Sequence, residues 1–172
     1  DDCRIEFRLA KLDQNGDSTT GITRTDTSIY PHPEPTNANF NNVKYVSHWP
    51  SNMYFNIWLV RHISGGALGY AQYPGTAFTY GGPWETYGPT IRSYEWGTIG
   101  SSTSDGRVGT HEIGHCLGLY HTFLSFSTGC GAECDTTGDQ VCDTPPTTPT
   151  FDCDTSNLCS NDLLGPSAFT MD

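Results

Sequence analysis

Eleven residues, His111-Glu112-Ile113-Gly114-His115-Cys116-Leu117-Gly118-Leu119-Tyr120-His121, constrain this chain more than any other stretch. On a helix, His111 and His115 are four apart and stack on one face, where two imidazoles can reach one ion. Ile113, Cys116 and Leu117 fall on another side and are expected to bury against a sheet. Glu112 is one step from His111, rotated off the ligand line, so it can approach a water on the metal without binding the metal itself. A helix continued past Gly118 would swing His121 away. Glycine tolerates a left-handed backbone, so Gly118 can end the helix and turn His121 back as a third nitrogen. Three protein ligands with an open fourth position is the layout of a catalytic rather than a structural zinc. The competing explanation is three unrelated core or surface histidines. A bare H-E-x-x-H arises by chance in roughly one chain in a hundred or fewer at average residue usage, and the added Gly and His make it far rarer.

The rest of the chain must house that segment. Its 172 residues are the size of one domain, long enough to bury a core. Nineteen Gly and eleven Pro point to many turns and long connections rather than a helical bundle. Arg4 to Leu9 alternates apolar and charged residues and reads as a half-buried strand. Tyr54 to Val60 is almost continuously apolar, as a strand covered on both faces would be. Ala67 to Tyr73 carries Gly69 inside a strand pattern, which suggests an edge where another backbone comes close. Thr90 to Trp96 adds a further strand. Asp13, Asn15 and Asp17 resemble the start of a calcium loop, but Ser18 and Arg24 stand where the glycine and closing Glu belong, so an ordinary loop is expected. Residues 31–42, rich in Pro and Asn, are expected on the surface.

A formal charge of −11 with only eight Lys+Arg argues against a nucleic-acid partner and against binding to anionic membranes. No apolar run is long enough for membrane insertion. Six of the seven cysteines, Cys116, Cys130, Cys134, Cys142, Cys153 and Cys159, lie in or after the histidine segment. Crowded into a Gly/Pro/Thr-rich stretch, they read as disulfide staples, which implies an oxidising compartment. A structural zinc site is the alternative, but there is no C-x-x-C pair. Seven is odd, so at least one cysteine is free or lacks its partner in this chain. His32, His48 and His62 are read as surface or packing residues. No G-x-S-x-G is present, so serine-nucleophile chemistry has no support.

The histidine segment resembles the metzincin motif H-E-x-x-H-x-x-G-x-x-H. Flanking residues make the chain similar to the pappalysin family of zinc metallopeptidases (family M43), especially its ulilysin-like members. They include His121-Thr122-Phe123, Gly129-Cys130 and Gly138-Asp139-Gln140-Val141-Cys142-Asp143-Thr144-Pro145-Pro146. Upstream, Ile5 to Ala10, Thr20 to Arg24, Trp49-Pro50-Ser51, Asn56-Ile57-Trp58 and Leu68 to Ala71 read like it too.

The resemblance implies an α+β fold: a metzincin-like twisted mixed sheet packed on an active-site helix, followed by a disulfide-stapled irregular C-terminal segment. One catalytic domain would span 1–172, with 1–121 as its N-terminal part through the third histidine and 122–172 as the start of the C-terminal part. It implies a secreted, extracellular endopeptidase acting on protein or peptide substrates. One catalytic Zn2+ would sit on His111, His115 and His121, with Glu112 as general base. It also implies substrate pairing along Ala67, Leu68, Gly69, Tyr70 and Ala71, a structural Ca2+ at Asp139, Asp143 and the Thr144 carbonyl, and Met171 as the Met-turn methionine. An acidic surface loop competes with the calcium assignment. Ala168-Phe169-Thr170 departs from the family's Asn-containing turn, and the chain ends at Asp172, before the tyrosine that usually follows. The first strand and long helix of relatives are also expected to be missing, so the chain reads as a core fragment. Cys130–Cys159 and Cys134–Cys142 are the implied pairs, with Cys153 assigned to a partner beyond the Met-turn and Cys3 and Cys116 unplaced; connectivity stays open. The alternatives are a non-catalytic adhesive or structural domain that retains the zinc site, and a zinc hydrolase of other substrates.

Overall fold

A computed structural model of the chain describes residues 4–28, 41–74, 84–97, 106–123, 134–144, 147 and 159. It is a small α+β arrangement. A short helix, α1 (Asn42–Tyr45), precedes β1 (Trp58–Val60), β2 (Gly69–Tyr70), β3 (Thr90–Arg92) and the main helix α2 (Arg107–Cys116). Single 3-10 turns at Ser64–Gly66, Trp84–Thr86 and Ser93–Glu95 connect them. The sheet is mixed, in the order β1-β3-β2. Parallel pairing sets Trp58 opposite Thr90 and Val60 opposite Arg92, and antiparallel pairing sets Gly69 opposite Ile91. β2 is therefore the outer strand of the described sheet on the side of α2.

The core lies between the sheet and α2. Ile91, Ile63 and Cys116 are fully buried, and Trp58 and Phe123 are nearly so. Gly109 lets α2 come close to Trp96, since a Cβ there would stand 2.8 Å from the indole ring. Gly106 precedes the helix in a left-handed conformation, and Arg107 begins it.

Several expectations change. Residues 4–9 form no strand in the described structure, and Ile5, Phe7 and Leu9 are exposed. The alternation half-buries a segment only if a neighbouring strand receives its apolar side. Here the nearest pairing is an isolated bridge between Leu12 and Ser18, with Phe7 resting on Phe55 at 5.4 Å. The 54–60 run narrows to a three-residue strand with Leu59 half exposed, because β1 packs inward on one face only. The expected strands at 67–73 and 90–96 narrow to β2 and β3, the latter running into a 3-10 turn. Leu117 is exposed rather than buried: the helix ends at Cys116, and the next residue already points away. Asp13 caps its own loop by accepting the Asn15 and Asp17 N–H groups, as the loop reading requires.

Cys134–Cys142 is a disulfide, and Cys159 is also oxidised. Cys116 is a free, buried thiol. Cys3, Cys130, Cys153, His32, Met171 and the 168–170 turn lie outside the described residues.

Candidate metal centre

The end of α2 builds the site. Gly118 adopts φ +95°, in the left-handed region that favours glycine. Its N–H bonds the His115 carbonyl and the Leu119 N–H bonds the Gly114 carbonyl, both at 3.0 Å. This pair of bonds is the Schellman closure, which satisfies orphan helix carbonyls while reversing the chain. The Tyr87 hydroxyl adds a bond to the Cys116 carbonyl. The reversed chain then brings His121 back over the face carrying His111 and His115.

The three Nε2 atoms form a small triangle: 2.9 Å from His115 to His111, 3.0 Å from His115 to His121, and 3.1 Å from His121 to His111. They are the one metal-ligating group of three or more His, Cys, Asp or Glu found among the described residues. His115 Nδ1 lies 2.7 Å from the Leu119 carbonyl, so that nitrogen carries the proton and Nε2 turns a lone pair inward. Three lone pairs this close repel one another unless a cation lies among them. A tetrahedral zinc with bonds of about 2.0–2.1 Å requires donors about 3.3 Å apart, close to what is present. The residues fit the metal. His121 is pushed down to about 4 by burial, then by His115 and His111, which keeps its imidazole neutral as a ligand must be. Phe123 stacks on the outer face of His121 at 4.6 Å.

Glu112 is 6% exposed and sits against β2: a Cβ on Gly69 would lie 2.8 Å from its Cγ and 2.9 Å from Oε1. Burial pushes its carboxyl up to about 8, opposed by the Lys44 charge. A cation held by the histidines would favour the carboxylate. Burial pushes Cys116 up to about 11, so it is an inert thiol at neutral pH.

Of the other expected site residues, Gly69 and Tyr70 form the outer strand, and the Leu68 carbonyl accepts the Arg92 N–H at 2.9 Å. Ala67 and Ala71 flank it. Asp139, Asp143 and Thr144 occupy a separate turn, where the Asp139 carboxylate accepts the Val141 N–H and the Thr144 N–H bonds the Val141 carbonyl. That turn closes by itself and supplies no argument for calcium. Gly138 brings it against the carbonyl of Thr122, next to the third histidine.

Sequence reasoning missed three neighbours. Tyr73 lies 5.1 Å from the His115 ring and 4.6 Å from Tyr120. Phe123 backs His121. Lys44, just after the 31–42 segment read as surface, is fully buried and bonds the carbonyls of Thr86 and Gly88. Nothing in the sequence marked it, because a lone lysine beside Pro- and Asn-rich residues ordinarily faces water.

The chain is similar to known metalloproteases. The chain is 43% identical over 94 residues to an extracellular metalloprotease of Colletotrichum graminicola, and 36% identical over 92 residues to extracellular metalloprotease 1 of Coccidioides posadasii. These matches cover 52% and 53% of this chain but 30% of each relative, so the matched stretch is under a third of those proteins. Among solved structures, mature mirolysin of Tannerella forsythia in complex with a cleaved peptide superposes with a TM-score of 0.72 at 32% identity. That superposition covers 93% of this chain and 59% of mirolysin. The family model described as pregnancy-associated plasma protein-A matches residues 37–170, and the chain belongs to that family, peptidase family M43.

Proposed function

We propose that the chain is the core of an extracellular zinc-dependent endopeptidase, and that Glu112 is its general base. The observation that carries this reading is the convergence of three Nε2 atoms within 3.1 Å of one another, with a buried carboxylate one residue from the first. Zinc, when bound there, supplies a Lewis acid that acidifies water and polarises a carbonyl. Glu112 takes a proton from the attacking water and delivers it to the nitrogen of the leaving amine. The outer strand β2 offers main-chain groups beside Glu112, suited to an extended peptide that adds as another strand. The extracellular names of the relatives and the Cys134–Cys142 disulfide support an oxidising location. Mass-spectrometric profiling of a peptide library with the zinc-loaded chain tests the reading. Internal cleavages that chelation abolishes are expected, and a catalogue identical with and without chelator would refute it.

Two more results are expected. Gly69→Ala should leave the fold and zinc content intact while lowering kcat/KM by about tenfold or more. Its methyl would displace the Glu112 side chain, a flexible group whose position matters only to chemistry. Parallel zinc analysis, melting curves and kinetics check this, and full activity would mean that Glu112 acts from another conformation. The second concerns acid. A proton and a metal compete for the same lone pair, so zinc is lost as pH falls through the range where the ligands protonate. Because His121 is held down to about 4, its own protonation removes the third ligand only near that pH, where dialysis should strip the zinc. Zinc fully retained after dialysis well below pH 4 would contradict a site built on the three imidazoles.

A further inference from the structure

One buried charge lies outside the metal centre and does more than bias Glu112. Lys44 on α1 has no solvent exposure, and its Nζ donates to the carbonyl oxygens of Thr86, at 2.9 Å, and Gly88, at 2.6 Å. The same ammonium lies 5.0 Å from the Trp58 ring centroid and 5.1 Å from that of Tyr70. Trp58 opens β1, Tyr70 closes β2, and Gly88 immediately precedes the run into β3. One cation therefore ties α1 to β1, to β2 and to the segment that leads into β3. The carbonyl cradle has little freedom of its own: a Cβ on Gly88 would lie 2.0 Å from the Asn56 carbonyl oxygen, and the Trp58 N–H bonds the Pro89 carbonyl at 3.0 Å. Tyr70 adjoins Gly69, whose backbone touches Glu112. A shift of Tyr70 would thus move the outer strand relative to the catalytic carboxylate. An apolar chain of equal length would fill the space but remove the ammonium donor from two carbonyls and the cation from the Tyr70 face.

We propose that Lys44 is a positioning residue for peptide binding, its buried ammonium fixing the outer strand β2 at the depth where an extended substrate pairs beside Glu112. The proposal rests on the endopeptidase reading above. Lys44 touches no reacting atom; it acts on the strand through Tyr70, while its charge separately favours the ionised form of Glu112. Burial pushes it down to about 8, opposed by Cys116 and Glu112, so it remains a cation at neutral pH.

The test compares the zinc-loaded chain with its Lys44→Met variant on two fluorogenic peptides built around one cleaved bond. One is about ten residues long, and the other is trimmed to two residues on each side. Positioning of an added strand predicts that KM for the long peptide rises about tenfold or more, while any change in kcat through Glu112 is shared by both peptides. KM for the trimmed peptide, which makes little strand pairing, should change less than twofold. A lowered melting temperature with unchanged KM, or equal rises in KM on both peptides, would mark a merely structural lysine and overturn the proposal. Should Lys44→Met fail to fold, Tyr70→Leu removes only the ring through which the ammonium reaches β2. It must show the same length-dependent split, and an unchanged KM there overturns the proposal as well. A wild type that cleaves nothing sinks the peptidase reading and this proposal with it; a cleaving wild type whose variants keep their KM sinks the proposal alone.

Discussion

Replacement of Glu112 by Ala is expected to leave zinc bound and to lower turnover by several orders of magnitude. The carboxylate is not one of the three converging nitrogens, and the triangle stands on His111, His115 and His121 alone. Removing it therefore costs the metal no ligand. It costs the reaction the group that takes and returns the proton, a contribution of about 10²–10⁴-fold for a well-placed base. The site holds no second carboxylate of comparable burial among the described residues to take over. The loss should fall on kcat, because strand pairing along β2 makes no use of Glu112. Zinc analysis beside steady-state kinetics separates the two effects. A variant that keeps zinc and near-normal kcat would remove Glu112 from the mechanism, and one that loses zinc would recast it as a ligand.

His121→Ala should act on the other half of the site, lowering zinc affinity beyond the roughly 10–100-fold typical of losing a ligand's hydrogen-bonding partner. His111 and His115 would remain on α2 in their present geometry, but two nitrogens do not define a tetrahedral site. His121 is also the ligand whose place depends most on the fold. It reaches the metal only through the left-handed turn at Gly118, is stacked by Phe123, and is followed by Thr122, whose hydroxyl lies 3.1 Å from that of Thr147. Competition with a zinc chelator reads the affinity directly. A variant that retains metal as tightly as the wild type would reassign the third position.

These residues were legible in the sequence because their spacing is local. An i,i+4 pair on a helix and a glycine three residues before a third histidine specify a geometry that hardly depends on what surrounds it. The structure keeps all of it, down to the two Schellman bonds around Gly118. The Cys134–Cys142 link agrees with a pairing that only the family resemblance implied, since spacing left the connectivity open. Patterns whose meaning depends on a neighbour fared less well. The alternation of residues 4–9 describes a strand only if a partner strand lies alongside, and the described structure leaves those side chains in water. Leu117 fits the helix's apolar side by angle, yet the helix stops one residue earlier.

Lys44 is the extreme case. Its sequence neighbours advertise a surface loop, while its surroundings come from residues 14 to 44 positions away: Trp58, Tyr70, Thr86 and Gly88. What the sequence determined alone was the convergence of three imidazoles beside a carboxylate, because a single turn of helix and one flexible glycine position them by covalent geometry. Which strand lies against Glu112, and which buried cation holds that strand in place, was decided only by tertiary structure, since such contacts join residues that the chain's local spacing leaves unrelated.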